Sequence, residues 1–313
     1  MGVGASELVM DLRLWVAAAI VISFIVPVLD LPFSTLIIIV LIIQMTLSMD
    51  GLAISLREIR DNKRGALLSI LFCYVVNTAI TLAVGAFFIP DHKEIWYGWV
   101  MLASMPCAIA VVTAATLMKE RIGVAVLAVT VTYIAGIILT PVLSYGLIGD
   151  AVDPLKILEY ILLFIIVPVI LSRLLAHLHM KRSVKVPVIN LMMGIMIFCS
   201  VNSNRVTLES DPVLVGLVIA AAIVRLVLLN LIMWLILRKA SYAEGAEGTY
   251  LVLGVWKNTG LSVSMSMIVL ASMPDAVIPC FMSMIFETVW FSFATRGDRQ
   301  GGSQQNGQES PSV

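Results

Sequence analysis

The sequence predicts an all-α polytopic membrane protein, and three observations support this class. Of the 313 residues, 60% are hydrophobic and only 13% are charged, whereas a typical soluble domain has about 25% charged residues. The mean hydropathy is +1.02. Ten apolar stretches approach or exceed the roughly 20 residues that a helix needs to cross a bilayer. The basic residues fall between these stretches in an alternating pattern, as expected for a chain that crosses the membrane repeatedly.

The ten predicted spans follow one another at short intervals, so the sequence predicts no separate soluble domain. They lie at about 12–29, 33–52, 65–89, 95–118, 122–147, 155–176, 185–203, 213–237, 249–271 and 276–295. Residues 297–313 are rich in Gly, Gln and Ser and have no apolar face. We expect them to form a disordered tail.

The distribution of Lys and Arg predicts the orientation. With the N-terminus inside, fifteen of the twenty basic residues fall on the cytoplasmic side and three on the other, while Arg225 and Lys257 lie within spans. Cytoplasmic loops carry the excess of positive charge. The sequence therefore predicts an integral protein of the plasma membrane with both termini in the cytoplasm.

Composition also limits the partners. The net charge is zero, so nothing indicates a nucleic-acid partner. The four cysteines, Cys73, Cys107, Cys199 and Cys280, lie in apolar runs, where a free thiol behaves as a small hydrophobic group. Without a CxxC pair or a Cys/His cluster, we expect neither a metal nor another cofactor.

Ten spans with both ends on one side divide into five plus five. An odd number of spans in each half gives the halves opposite orientations, which is the inverted-repeat arrangement of many transporters. The predicted units are residues 1–148, residues 149–296 and the tail.

The fourth span of each half is interrupted. Pro106 removes a helical hydrogen bond in span four and drives Met105 out of the α region. Span nine contains Gly254 and Gly260, which weaken a helix, on either side of Lys257. Matching interruptions in two halves indicate the substrate site of a transporter, so we predict two broken helices that cross near the membrane centre.

Polar residues at this depth are the candidate ligands. They persist in a bilayer only beside protein or a wet cavity, and an ionisable side chain there indicates function. Lys257 lies eight residues into its span, which disfavours a side chain that simply extends to the interface. We predict substrate or ion contacts from Pro106, Cys107, Thr113, Thr130, Lys257, Asn258, Thr259 and Ser262.

Two further charges are predicted to pair. Arg225 lies in the middle of span eight, where an unpaired charge costs at least about 2.5–3.5 kcal/mol. Glu287 in span ten is its natural partner. A purely structural ion pair and a substrate contact both remain open.

The chain resembles the bile acid:sodium symporter family over about residues 12–295. Three features carry the resemblance: the ten spans, the Met-Pro in span four and the sequence GVWKNTGLS in span nine. The basic segment MDGLAISLREIRDNKRGALL after span two is similar as well. The resemblance implies a panel domain of spans one, two, six and seven. It also implies a six-helix core domain whose two broken helices cross beside two sodium sites.

At the expected sodium sites this chain departs from the family. The ninth-helix motif E-x-G-x-Q-N-S-G-L-A places its Glu on Leu253 and its Gln on Lys257, and the fourth-helix Ser-Asn pair falls on Val111 and Val112. Thr130 is the fifth-helix hydroxyl that clearly remains. These departures from the family predict that the Lys257 ammonium replaces the cation and that transport does not need sodium. A buried lysine can also exchange a proton, so proton coupling is the remaining option.

The sequence therefore predicts a symporter-like secondary active transporter of a small organic anion, working by alternating access between panel and core. An arsenite-type exporter of the same superfamily is the first alternative, because Cys107 and Glu287 fall on that family's characteristic Cys and acid. A ligand-binding membrane protein that does not transport is the second. No span carries a motif of an intramembrane enzyme, and the sequence makes no prediction about oligomeric state.

Overall fold

The structure is a computed structural model that describes residues 9–50, 60–178, 180–239 and 245–294. In these ranges the regular structure is helical. The helices are α1 Leu12–Ile25, α2 Phe33–Met49, α3 Lys63–Phe88, α4 Lys93–Ser104, α5 Ala110–Leu117, α6 Ile122–Ile148, α7 Pro154–Leu175, α8 Arg182–Ser203, α9 Arg205–Ser210, α10 Pro212–Leu237, α11 Glu247–Val255, α12 Thr259–Val269 and α13 Ile278–Ala294.

These helices coincide with the apolar stretches of the sequence. Within the described ranges, six helical segments are long and apolar enough to cross a membrane, and α1, α2 and α12 are shorter apolar helices. The chain is therefore an integral membrane protein with several spanning helices. Spans four and nine each correspond to two short helices, α4 with α5 and α11 with α12. The five-plus-five repeat stays a prediction.

Local chemistry sets the helix boundaries. Asp11, Asn62, Asp153 and Asp211 each accept a backbone N–H in the first turn of the helix that follows them, which satisfies donors that have no partner inside the helix. The helix α1 ends at Ile25, before the predicted end at residue 29. Val26 precedes a proline and is extended, with φ −74° and ψ 136°, because a residue before proline avoids the α region.

The helices pack in two groups. In the first group, α8 packs against α1 and α2, and α7 packs against α2. In the second group, α4 packs against α3, α6 and α13, while α10 packs against α11 and α13. The helices α6 and α12 lie between the groups, since α6 contacts α7 and α12 contacts α2.

One part of α3 has a wider turn than an α-helix. Leu71–Asn77 forms a π-helical segment, a feature that often marks functional sites. The segment buries Cys73, Tyr74 and Asn77 among the core helices. The sequence contains no signal for this segment, so it was not predicted.

A carboxylate joins the two broken helices at the end of the molecule where α3 and α6 begin. Glu120 follows α5, and its carboxylate accepts hydrogen bonds from the backbone N–H of Gly248 at 2.7 Å and of Thr249 at 2.6 Å, and from the Thr249 hydroxyl at 2.6 Å. Lys119 adopts a left-handed conformation, with φ 57°, which turns the chain there. Glu120 thus caps the start of α11 from the end of α5.

We expect Glu120→Ala to lower the stability of the protein. The variant removes a negatively charged cap from a helix N-terminus, a loss of about 0.5–2 kcal/mol. Thermal unfolding in detergent micelles measures the effect. Glu159→Ala is the matched control, because Glu159 is an exposed carboxylate on α7. Equal melting temperatures for the two variants would contradict the capping role.

Candidate binding site at the helix crossover

The breaks in the two interrupted helices satisfy each other's backbone groups. Met105 is extended before Pro106, with φ −74° and ψ 155°. Cys107 and Lys257 pair as an isolated antiparallel bridge. On either side of the bridge, Ala108 N donates to Trp256 O at 3.0 Å, and Asn258 N donates to Pro106 O at 2.8 Å. Backbone groups within a bilayer need partners, and this pairing allows both helices to be broken at the same place.

The glycines do not form the break in span nine, contrary to the sequence prediction. Gly254 lies inside α11 and Gly260 inside α12, and the chain is non-helical between them. A Cβ on Gly254 would overlap the Met233 side chain. Gly254 therefore permits close packing of α11 on α10. The break between α11 and α12 depends on the backbone bridge from Lys257 to Cys107.

Lys257 is fully buried at the crossover. Its Nζ donates to Met105 O at 2.8 Å and to Thr78 Oγ1 at 3.2 Å, and it lies 3.6 Å from Cys73 Sγ. The ammonium also lies 4.6 Å from the centre of the Tyr74 ring, within the range of a cation–π contact. Met105 follows the last residue of α4, so the positive charge lies at the negative end of a helix dipole.

Amide side chains cap two other helix ends. Asn77 Nδ2 donates to Gly254 O and Val255 O, both at 2.9 Å, and so covers the carbonyl end of α11. Asn258 Oδ1 accepts from Leu261 N at 2.9 Å, which caps the start of α12. The Asn258 amide also donates to the Tyr133 hydroxyl at 2.5 Å.

The start of α5 differs from the other three ends. Ile109 occupies the capping position and makes no side-chain hydrogen bond there. Ile109 and Ala110 are half-buried, whereas Thr113 is exposed one turn further along. This helix start thus lacks the side-chain cap that Asn258 gives to α12, and Val111 N and Val112 N donate instead to Ala108 O at 3.2 Å and Ile109 O at 3.0 Å.

An ion pair extends the polar network away from the crossover. Arg225 Nη1 donates to Glu287 Oε1 at 2.5 Å, and both side chains are buried, with 0% and 1% exposed. The guanidinium also donates to Thr81 Oγ1 at 2.7 Å and to Asn77 Oδ1 at 3.3 Å. Since Asn77 caps α11, Arg225 is connected to the crossover through one residue.

The structure brings some of the sequence candidates together and separates others. Pro106, Cys107, Lys257 and Asn258 meet in the bridge, and Thr259 is the first residue of α12.

The remaining candidates lie around this bridge. Ser262 is buried and donates to Thr259 O at 2.8 Å within its own helix. Thr130 is buried on α6, and Thr113 is exposed on α5. Thr132, two residues after Thr130, is the α6 hydroxyl that contacts Cys107, at 3.1 Å.

Several residues of the network were missed as site residues. Span three contains a polar cluster of Asn77, Thr78 and Thr81, and the spacing of four residues places Asn77 and Thr81 on one helix face. This cluster could have been recognised in the sequence as part of the site. Tyr74 and Tyr133 gave no comparable signal, since a tyrosine in an apolar helix usually serves packing.

Two thiols lie at the crossover. Cys73 Sγ is 3.6 Å from Lys257 Nζ, and Cys107 is the residue that bridges to Lys257. Within the part of the chain that the structure describes, no group of three or more His, Cys, Asp or Glu side chains is placed to hold a metal ion.

The long apolar helices define an integral membrane protein of several spans. The sequence model of the Sodium Bile acid symporter family matches residues 35–209, more than half of the chain. The chain therefore belongs to the sodium bile acid symporter family, whose members are transporters. The match confirms the family that the sequence motifs indicated. It includes the break at Pro106 but not the segment around Lys257. No curated protein matches the sequence.

We expect Arg225 and Glu287 to stabilise the protein only as a pair. Arg225→Met and Glu287→Gln each remove one charge at nearly constant volume and should each cost about 3–5 kcal/mol, because the remaining charge is left buried without its partner. The double variant should lose less than the sum of the two single losses.

Unfolding in detergent micelles measures the four free energies of this cycle. Glu209→Gln is the control, because Glu209 pairs with Arg205 at the surface and is 54% exposed, and it should change stability little. Additive losses at residues 225 and 287 would show that the two charges act independently.

Proposed function

We propose that this protein is a secondary active transporter of a small organic anion that does not depend on sodium. In this proposal the panel is α1, α2, α7 and α8, and it moves against a core of the other long helices. Residues 1–148 and 149–296 are the two inverted repeats, and both termini lie in the cytoplasm. The observation that carries the proposal is the crossover, where a fixed ammonium and an uncapped helix start lie on paired chain segments.

The uncapped start of α5 supports an anionic substrate. Backbone N–H groups and the helix dipole make such a terminus favourable for a carboxylate. Asn258 caps the start of α12, whereas no side chain caps α5, where Val111 N and Val112 N donate to Ala108 O and Ile109 O. The exposed hydroxyl of Thr113 offers a further donor one turn along.

The charges around the crossover support the same ligand class. Lys257 and Arg225 are both buried, and Glu287 is the carboxylate that pairs with Arg225. These three groups carry one net positive charge when all are ionised. Burying such a charge is costly unless a counter-charge is near. A bound anion would supply that counter-charge, and loss of a proton from Lys257 would be the other way to remove the excess.

Differences in packing between α5 and α12 support alternating access. The helix α12 packs against α2 and α7, and Ser34 Oγ of α2 donates to Met267 O at 3.2 Å. The helix α5 packs against α6 and α11, while Thr113 and Thr116 are exposed. An inward-open state of a rocking transporter would have this asymmetry, with the panel packed against α12 and separated from α5.

The surroundings of Lys257 support sodium-independent transport. In transporters with broken helices, unwound carbonyls and half-helix C-termini coordinate the sodium ion. Here the Lys257 ammonium donates hydrogen bonds to a carbonyl of this kind, Met105 O, and to the Thr78 hydroxyl. A sodium ion 4 Å from this charge would meet a repulsion of about 4 kcal/mol at an effective dielectric constant of 20. A tethered cation thus occupies the place of a soluble one.

We expect uptake that is independent of sodium and sensitive to Lys257. A panel of small carboxylates is first screened for ligands that raise the melting temperature of the purified protein, since a ligand of the folded state stabilises it. Uptake of that ligand into proteoliposomes is then measured under imposed sodium or proton gradients. Lys257→Ala should reduce uptake at every sodium concentration.

Two further variants sharpen this test. Lys257→Gln removes the charge but keeps an amide, and alone it should not create sodium dependence. Lys156→Gln, at an exposed lysine of α7, should transport like the wild type. Uptake that rises steeply with sodium and is unaffected by Lys257→Ala would contradict the proposal and indicate ordinary sodium symport. Ligand binding without flux in any gradient would indicate a binding protein that does not transport.

The two thiols favour a second candidate, an arsenite-type exporter. Cys73 and Cys107 both lie at the crossover, and thiolates are soft ligands. On this alternative, arsenite uptake into inverted vesicles should fall in Cys107→Ser and in Cys73→Ser but not in Cys199→Ser, which changes a buried cysteine of α8. Carboxylate uptake that survives all three substitutions would favour the organic anion.

A further inference from the structure

A cavity with basic groups lies at the end of the core where α3 and α6 begin. Its volume is about 300 Å³, at the lower end of the range of roughly 300–1,000 Å³ typical of small-molecule pockets. The lining includes the side chains of Asn62, Arg64 and Arg121 and the apolar side chains of Leu68, Val124 and Tyr250. A second cavity of about 310 Å³ shares Asn62, Arg121 and Val124 with the first. The two cavities are therefore neighbours.

The polar and apolar parts of this cavity fit different parts of one ligand. Asn62, Arg64 and Arg121 are exposed, whereas Val124 and Tyr250 are buried. The guanidinium groups therefore lie at the mouth of the cavity, and the apolar groups form its inner wall along the helices. Arg is well suited to phosphate, because its planar group donates two parallel hydrogen bonds. A phosphate at the mouth with hydrocarbon against the wall matches both surfaces.

One carboxylate lines the second cavity, and a neighbouring arginine partly offsets its charge. Asp61 lines the second cavity, and the Arg60 Nε lies 3.4 Å from its Oδ1. The cavity also differs from the crossover site, since its lining residues come from the starts of α3 and α6 and from the region of α11. None of its lining residues belongs to the bridge or to the ion pair of Arg225.

We propose that this cavity binds the phosphate headgroup of an anionic phospholipid, with an acyl chain lying along Leu68 and Val124. A helix end of this kind lies at the level of the membrane interface, and basic pockets between helices on the cytoplasmic side are suited to such headgroups. The site gives Arg64 and Arg121 a role beyond setting the orientation. The lipid would hold the starts of α3, α6 and α11 together at the base of the core.

The test is native mass spectrometry of the protein in detergent with added lipid. Dioleoylphosphatidylglycerol is the probe, dioleoylphosphatidylcholine is the zwitterionic control, and soluble glycerol 3-phosphate represents a free phosphate group. Arg64→Gln/Arg121→Gln is the test variant. Arg173→Gln is the matched control, because Arg173 is exposed in the last turn of α7, away from the cavity.

The wild type and Arg173→Gln should retain phosphatidylglycerol in preference to phosphatidylcholine, and the double variant should bind it roughly tenfold or more weakly, as expected for losing two charge-assisted contacts. Arg121→Gln alone should give a partial loss, which keeps the test valid if the double variant folds poorly. Equal lipid binding by the wild type and the variants would overturn the proposal. Equal retention of the two lipids would do so as well. Binding of glycerol 3-phosphate as tight as that of the lipid would show that the site serves a soluble phosphate.

Discussion

The need to pair backbone groups inside a membrane is the constraint on which this structure depends. Both interrupted helices expose N–H and C=O groups at depth, where water is not available to satisfy them. The bridge between Cys107 and Lys257 resolves this for both helices at once, through the bonds of Ala108 and Asn258 on either side. Neither break is stable by itself in this setting, so the two segments have to meet. The bridge also brings Lys257 close to the end of α4.

Three other helix ends at the crossover are stabilised by side chains of two kinds. A cation lies at the end of α4, an amide at the end of α11 and another amide at the start of α12. At the far end of the same helices, the Glu120 carboxylate caps α11 from the chain that follows α5. The two broken helices are thus connected at their middle and at one end. The start of α5 is the exception, because no side chain caps it.

Charge at the crossover distinguishes this chain from the pattern that its family resemblance implies. The acidic and amide positions of that pattern carry Leu253 and Lys257 in this chain. The Lys257 ammonium is held by Met105 O and by the Thr78 hydroxyl. Arg225 and Glu287 then hold a second charge of the network in place from α10 and α13.

The sequence by itself determined the membrane class, the helix positions, the family and the residues at both breaks, because each depends on local composition or on a single motif. Hydrophobic length locates helices, and Pro106 interrupts one of them whatever its neighbours are. Only the tertiary structure decided which groups meet. The π-helical turn of α3, the caps by Asn77 and Glu120, and the helical state of Gly254 depend on contacts between residues far apart in the chain. Local propensity carries no information about such contacts, since the partners that satisfy a buried polar group are chosen by packing.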